Sequence, residues 1–392
     1  MATERGVVRR PPGRKAQILA VASEQFHRRG YHQISMAEVA AEVGITAPAL
    51  YRHYRSKPEL LLRAVESDLA AVRTAVRSAQ GLDGLCAALA AVAVDHRALG
   101  TLWQRDARLL PSVQRAELWG CLREDIAEMA RVLTAARPEL PSEDAEFLCW
   151  SVLSAYGSLS YHTFAPPRRR FERLLQRIGG AVLAGTLEGL PDTGSVAQRP
   201  CPASESRREE LLTAAVRLFH ERGFDNVSTD QLGAAVGIAG PSVYKHFDTK
   251  AELLAAALVR SRERLWHEVE GAIAGGGAPP EALAAGLRAY VDFALRHRHH
   301  LGVMLSETER LAEPDRKAAV DFRRDFLRTW VGLLQQVRPQ YESAEARIRV
   351  HAMFALVNDG VRNRPGCSRP DLAGCLVELS RAALGLTAQQ PD

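Results

Sequence analysis

Apolar residues recur along this chain every three to four positions, and no segment alternates strictly. That period belongs to helices packed on one face, and it predicts an all-α protein. The first clear case runs from about Arg14 to Arg29, where Ile18, Ala22 and Phe26 stand four apart on one face. Gly30 follows, where a left-handed cap is needed, and Tyr31 is placed to fold back on the helix end. Ser35-x-x-Glu38 opens a second, short helix as a capping box, with Val39 and Val43 inward. Gly44 ends that helix in a tight turn plugged by Ile45. A third helix runs from Ala47 to Tyr54, with Thr46 as N-cap and Pro48 in its first turn. Ser56-x-x-Glu59 opens a fourth with a further capping box.

The whole pattern occurs twice. Residues 14–62 align without a gap onto 207–255, and about 19 of the 49 positions are identical. Leu211, Ala215 and Phe219 repeat the first apolar face. Gly223, Ser228, Gln231, Gly237, Thr249 and Glu252 repeat the caps and turns. The copy of the third helix spans Gly240 to Phe247. Beyond the module the likeness fades, but Arg137-Pro138 is echoed by Arg338-Pro339. Each half is therefore a small module followed by a long helical region.

Composition draws the boundaries. Residues 1–13 form a basic arm ending in Pro-Pro-Gly, and 191–206 form a Pro- and Ser-rich linker. Between them lie a first module (14–65) and a first helical domain (66–190). A second module (207–258) and a second helical domain (259–388) follow. The formal net charge of +5 permits nucleic-acid binding without demanding it. Six cysteines without CxxC spacing fit a reduced cytoplasm better than a disulfide framework or a zinc site. No apolar run is long enough for a membrane span, and the basic N-terminus is not followed by a secretory core.

A short helix, a glycine turn and a second short helix make a helix-turn-helix. Leu50 and Tyr54, or Val243 and Phe247, point inward. Ala47, Pro48, Tyr51, Arg52 and His53 then face outward, as do Gly240, Pro241, Tyr244, Lys245 and His246. Small groups at the helix start allow close approach to base edges, and the larger ones reach phosphates. Lys57 and Lys250 sit at a helix N-terminus, a ready phosphate site. The chain has five lysines, so a lysine at both positions argues for a point charge. Thr46, Ala49, Ala239 and Ser242 complete the candidate reading surface.

These residues carry a resemblance. GITAPALYRHYRSKPELL and GIAGPSVYKHFDTKAELL resemble the recognition signature of the TetR family of bacterial transcriptional regulators. The fused arrangement is similar to tandem regulators of actinobacteria, repressors of mammalian-cell-entry operons among them. The resemblance implies two TetR-like units, each with a helical effector and dimerisation domain, packed as a pseudo-two-fold pair within one chain. It implies a double-stranded DNA operator as partner, a small apolar effector, no cofactor and a repressor's role. The alternative is a ligand-independent activator or architectural protein. Because the two recognition segments differ, the operator is expected to be asymmetric or imperfectly palindromic.

Competing readings stand beside these. Tyr51 and Tyr244 are either half-buried core residues or DNA contacts. Arg52, Lys245, His53 and His246 are either solvated or local groups, or phosphate contacts. Arg5, Arg9 and Arg10 of the arm are disordered charge or minor-groove contacts. His297-Arg298-His299-His300 points in several directions from a helix and reads as a solvated surface patch rather than a metal site. Trp103, Trp119, Trp150, Tyr156, Tyr161 and Phe164 are first of all core residues of half one. Trp266, Tyr290, Phe293, Trp330, Met353 and Phe354 are their counterparts in half two, and some of either set line an apolar pocket if one exists. No nucleophile elbow, HExxH, P-loop or dinucleotide fingerprint is present, so the reading is not an enzyme.

Overall fold

The computed structural model describes residues 13–190, 206–362 and 369–387. The arm and the linker lie outside the described residues except at Gly13 and Ser206. The first half contains α1 (Arg14–Arg29), α2 (Met36–Val43), α3 (Ala47–His53), α4 (Lys57–Ser78), α5 (Gly81–Asp95), α6 (Leu99–Thr101), α7 (Ser112–Ala136), α8 (Ser142–Gly157) and α9 (Arg168–Leu183). The second half contains α10 (Arg207–Arg222), α11 (Thr229–Ala235), a 3-10 segment (Gly240–Lys245), α12 (Lys250–Gly275), α13 (Pro279–Arg296), α14 (Arg298–Ser306), α15 (Asp315–Val337), α16 (Ser343–Gly360) and α17 (Leu372–Leu384). There is no strand among the described residues.

The repeated modules fold alike because their local signals are alike. Ile18, Ala22 and Phe26 are fully buried, as are Leu211, Ala215 and Phe219. Tyr31 and Phe224 do fold back, with ring centroids 5.3 Å from Phe26 and Phe219. Gly30 and Gly223 have positive φ (85° and 79°) but extended ψ, so the cap is not the left-handed helical one expected. Only glycine adopts that geometry cheaply. Arg14 and Arg207 brace the modules identically, donating to Val43 O and Val236 O.

The two halves meet through their last two helices. α8 packs on α16, and α9 packs on α17. Ion pairs Arg170–Glu342 (2.8 Å) and Arg177–Glu345 (3.4 Å) cross the boundary, as does Arg369–Asp144. One apolar core runs from the first module through both helical domains. The second module has its own core, into which Val303, Leu311 and Ala319 reach. The Arg-Pro echo has a structural explanation. Arg137 donates to Leu183 O at the end of α9 and to Gly185 O just beyond it, and Arg338 donates to Gly385 O beyond α17. Each arginine satisfies carbonyls orphaned at a helix end.

The histidine patch is not solvated as the spacing suggested. His297, His299 and His300 are half-buried. His300 meets Ser261 Oγ at 2.8 Å, and His297 meets Glu268 at 3.4 Å. The chain breaks between α13 and α14 here, turning the run inward.

Candidate nucleic-acid interface

In the first module (reader one; the second module is reader two), Thr46 Oγ1 accepts from Ala49 N at 3.4 Å and caps α3. Leu50 is fully buried beneath it and Tyr54 nearly so. Those anchors leave Thr46, Pro48, Tyr51 and Arg52 exposed, with Ala47, Ala49, His53 and Lys57 at the margin. In reader two, Val243 and Phe247 are the buried anchors. Ala239, Pro241, Tyr244 and Lys245 are exposed, and Ser242, His246 and Lys250 are partly so. Tyr51 and Tyr244 each keep 50% of their surface, so neither is a core tyrosine.

Reader two departs from the expected geometry. Its recognition segment is a 3-10 helix over Gly240–Lys245, not the α-helix to Phe247 that the repeat predicted. Thr46, Ala47, Ala49 and Leu50 are replaced there by Ala239, Gly240, Ser242 and Val243. Losing the cap and the better helix formers costs an α-helix roughly 2–3 kcal/mol. Gly240 is also buried rather than outward-facing. A Cβ on it would stand 1.9 Å from Asp230 Oδ1, and one on Gly233 would stand 2.7 Å from Ile238 O. Reader one has alanine at both equivalent positions, Ala47 and Ala40. The segments of reader two are thus closer than its twin's residues would allow.

The lysines are tied inward. Lys250 Nζ donates to Phe224 O and Val227 O, both at 2.9 Å, and lies 4.2 Å above the Phe224 ring. Lys57 Nζ lies 4.4 Å above the Tyr31 ring, and burial pushes its pKa down. Lys250 therefore acts as a strut between α12 and the preceding loop. The caps behind these lysines differ from a reciprocal box as well. Ser56 and Thr249 cap as expected, but Glu59 and Glu252 accept from Arg55 N and Asp248 N, one residue earlier. The boxes at Ser35–Glu38 and Ser228–Gln231 close fully. The Ser35 N–H and hydroxyl, then Arg29, hold the Glu38 carboxyl down at about 2.

Behind reader one lies a cavity of about 80 Å³. Leu89, His96, Trp103, Trp150 and Tyr156 line it, with Asp359 arriving from the other half. His96 Nδ1 meets Asp68 Oδ1 at 2.8 Å, and Gln104 Nε2 donates to Asp359 Oδ2 at 2.7 Å. The corresponding region of half two is filled by rings. Trp266, Tyr290, Phe322, Phe326, Trp330 and Phe354 form a continuous cluster with neighbouring centroids 5.0–6.1 Å apart.

A π-helical turn, Leu102–Asp106, runs on directly from α6. Such turns interrupt the helical ladder and are frequent at functional sites. Its Trp103 and Gln104 line the cavity, while the next residue, Arg105, turns to the waist between the readers. Arg105 Nη2 donates to Phe26 O at 2.8 Å, and Nη1 donates to Glu309 of half two. Arg108 Nη2 donates to Glu307 Oε1 at 2.7 Å. Glu307, itself 1% exposed, accepts from Phe224 N of reader two at 3.4 Å.

Comparison with known proteins agrees with this architecture. The family of bacterial regulatory proteins, tetR family, matches residues 18–64 and again 211–257. The two matches are offset by the same spacing as the repeat. The chain belongs to the TetR family, in tandem form. A tetracyclin repressor-like C-terminal domain matches residues 276–359 of the second half. The HTH-type transcriptional activator FasR of Mycolicibacterium smegmatis is 44% identical over 69 residues, 17% of this chain and 32% of that protein. The HTH-type transcriptional repressor KstR2 of the same species is 28% identical over 148 residues, 37% of this chain and 68% of that protein. The chain thus spans about a third of one relative and about two thirds of the other. The structure of the ketosteroid transcriptional regulator KstR2 of Mycobacterium tuberculosis gives a TM-score of 0.42 at 24% identity, covering 47% of this chain and 97% of that one. These TetR-family relatives are transcriptional regulators, not enzymes.

The waist was not foreseen. Arg105, Arg108, Glu307 and Glu309 lie far apart in sequence, and no local period marks them. Arg55 was also passed over, although it is exposed beside reader one's recognition helix. Its place just before the α4 cap, opposite Asp248 in the repeat, was the available signal. No single helix among the described residues is long and apolar enough to cross a membrane.

Proposed function

We propose that this chain is a transcriptional repressor that holds operator DNA with both readers and releases it when a small apolar ligand enters the first helical domain. The observation that carries the reading is an exposed recognition segment built twice in one chain, with Tyr51 and Tyr244 equally exposed over equivalent buried anchors. In this reading Thr46, Ala47, Pro48 and Ala49 approach bases, as do Ala239, Pro241 and Ser242. Tyr51, Arg52, His53, Tyr244, Lys245 and His246 meet phosphates. The chain acts as its own dimer through α8, α9, α16 and α17. A family dimer sets its recognition helices in major grooves about 34–36 Å apart. Since the readers differ, the half-sites differ too.

The ligand site is the cavity of half one, while half two serves to hold the pair. A drug-sized ligand needs roughly 300 Å³ or more, so entry must displace cavity side chains such as Trp103. That displacement acts on the π-turn and hence on Arg105 and Arg108 at the waist. Only a ligand that binds the displaced arrangement better can shift the population. The apolar lining and the likeness to mammalian-cell-entry operon repressors both favour a lipid-like effector. A cytoplasmic site of action follows from the same reading.

Selecting DNA fragments with the purified chain, then adding a panel of fatty acids and steroid acids, tests this. The expected result is one enriched asymmetric site, released by a ligand that also raises the thermal midpoint. Recovery of no enriched site, or of a perfect palindrome occupied by one chain, contradicts it. The 44% match to an activator favours a second reading, in which bound protein recruits transcription. A site upstream of the promoter, with binding insensitive to every ligand, supports that alternative.

A further inference from the structure

The two readers carry very different charge. Residues 14–57 hold seven basic and three acidic side chains, whereas the equivalent 207–250 hold six of each. The acids of reader two are Glu209, Glu210, Glu221, Asp225, Asp230 and Asp248. Reader one places Ala16, Gln17, Arg28, His32, Ala37 and Arg55 at those positions, none of them acidic. Two of the six flank the recognition segment itself. Asp230 packs its carboxylate against Gly240, and Asp248 follows Phe247 where reader one has Arg55. Both are exposed.

The cations that remain in reader two are partly engaged. Lys250 is held by two carbonyls, Arg207 pairs with Glu210, and Arg208 lies 4.4 Å over the Phe247 ring. In reader one, Arg52 and Arg55 are exposed on and just after α3. Shape differs in the same direction. In a 3-10 helix, side chains three apart eclipse, so Pro241 lines up with Tyr244, and Ser242 with Lys245. That ridge is narrower than the face of α3 and offers fewer directions toward base edges.

Resting on the DNA-binding reading above, we infer that the readers divide the work: reader one anchors the chain through phosphates, and reader two binds weakly, with Asp230 and Asp248 as the residues that limit it. Each phosphate neutralised releases counterions, so charge sets both affinity and salt slope. A carboxylate at the groove edge repels phosphates and accepts only from base amino groups such as that of cytosine. Reader two therefore filters sequence while adding little non-specific affinity of its own, and one released anchor frees the whole chain.

The test compares equivalent substitutions in the full chain, read by fluorescence anisotropy on its selected DNA site from 50 to 300 mM salt. Tyr51→Ala is expected to weaken binding about tenfold, the loss of one charge-assisted contact, and Tyr244→Ala by about threefold or less. Arg52→Ala with Arg55→Ala should flatten the log–log salt slope by about 2, whereas Lys245→Ala should change it by less than about 1. Asp230→Ala with Asp248→Arg installs reader one's residues and should tighten binding at least about tenfold at low salt, while steepening the slope. Equal losses from the two tyrosine variants, together with no gain from the aspartate exchange, overturn the division of labour. A wild-type chain that selects no DNA at all overturns the proposed function instead.

Discussion

Arg108→Met would test whether the waist holds the readers together. Arg108 Nη2 lies 2.7 Å from Glu307 Oε1 and also reaches Ser306 O at 3.3 Å, while its Nε donates to Arg105 O. Glu307 has side-chain exposure of 1%, against 27% for Arg108. Met fills the space of the aliphatic stem but removes the charge, leaving the carboxylate with Ser306 Oγ at 3.0 Å and Phe224 N at 3.4 Å. Breaking a fully buried pair costs roughly 3–5 kcal/mol. Arg108 is partly solvated and Glu307 keeps two neutral donors, so about 2 kcal/mol is expected here. Urea unfolding followed by circular dichroism would read this loss. Glu307→Gln alone should cost less, because the amide still accepts from Phe224 N. The double variant should regain at least about 1 kcal/mol relative to the sum of the singles, since both charges are then gone. DNA affinity should fall in Arg108→Met and recover in part in the double variant, because Phe224 belongs to reader two. Additive losses within about 0.5 kcal/mol would refute the coupling.

Further outcomes follow from the core. Burial, with nearby arginines, holds His220 and His300 down at about 3 and His27 and His351 at about 4. Their unfolded imidazoles take up protons below about pH 6.5 that the folded forms refuse, so stability is full above that pH and falls by up to about 1.4 kcal/mol per unit per histidine below it. His96 runs the other way: Asp68 raises its pKa, so its contribution is present at low pH and is lost as pH rises through the raised value. Urea midpoints at pH 7.5 and 5.5 should show these lowered histidines, with His162 beside them, dominating, and the acid sample clearly weaker; equal midpoints would contradict this. Trp330→Ala empties a fully buried site in half two and should cost about 3–5 kcal/mol by chemical denaturation. Trp103→Ala enlarges the cavity of half one from a partly buried position and should increase binding of an apolar fluorescent probe. Unchanged probe binding would place the ligand site elsewhere.

The features legible in the chain were those whose cause is local. Ser35, Ser56, Ser228 and Thr249 cap helices because a hydroxyl three residues from an N–H needs nothing else. Phe26 and Phe219 are buried because their four-residue spacing leaves no alternative face. Even the failure at Gly240 was local in origin. The replacements that remove α-helix there were visible, but the identical positions around them suggested an identical helix. Lys57 and Lys250 carry contacts that their helix position does not announce. A helix N-terminus attracts anions, and Lys250 Nζ also donates to two carbonyls of the preceding loop, a contact that depends on tertiary packing.

What escaped the sequence depends on where distant segments meet. Arg105 and Glu309 are 204 residues apart, and nothing near either one signals the other. The cavity escaped for a related reason. Both halves are rich in aromatics, and only packing decides that six rings form one cluster in half two while Trp103 and Trp150 line a cavity in half one. The same asymmetry gives the duplication a physical sense. A homodimer needs each pocket to control its own reader. Here the π-turn beside the cavity of half one reaches Phe26 of reader one through Arg105, and Phe224 of reader two through Arg108 and Glu307. On the function proposed above, a ligand in that cavity would act on both readers through these contacts, while the ring cluster of the second bundle holds the pair.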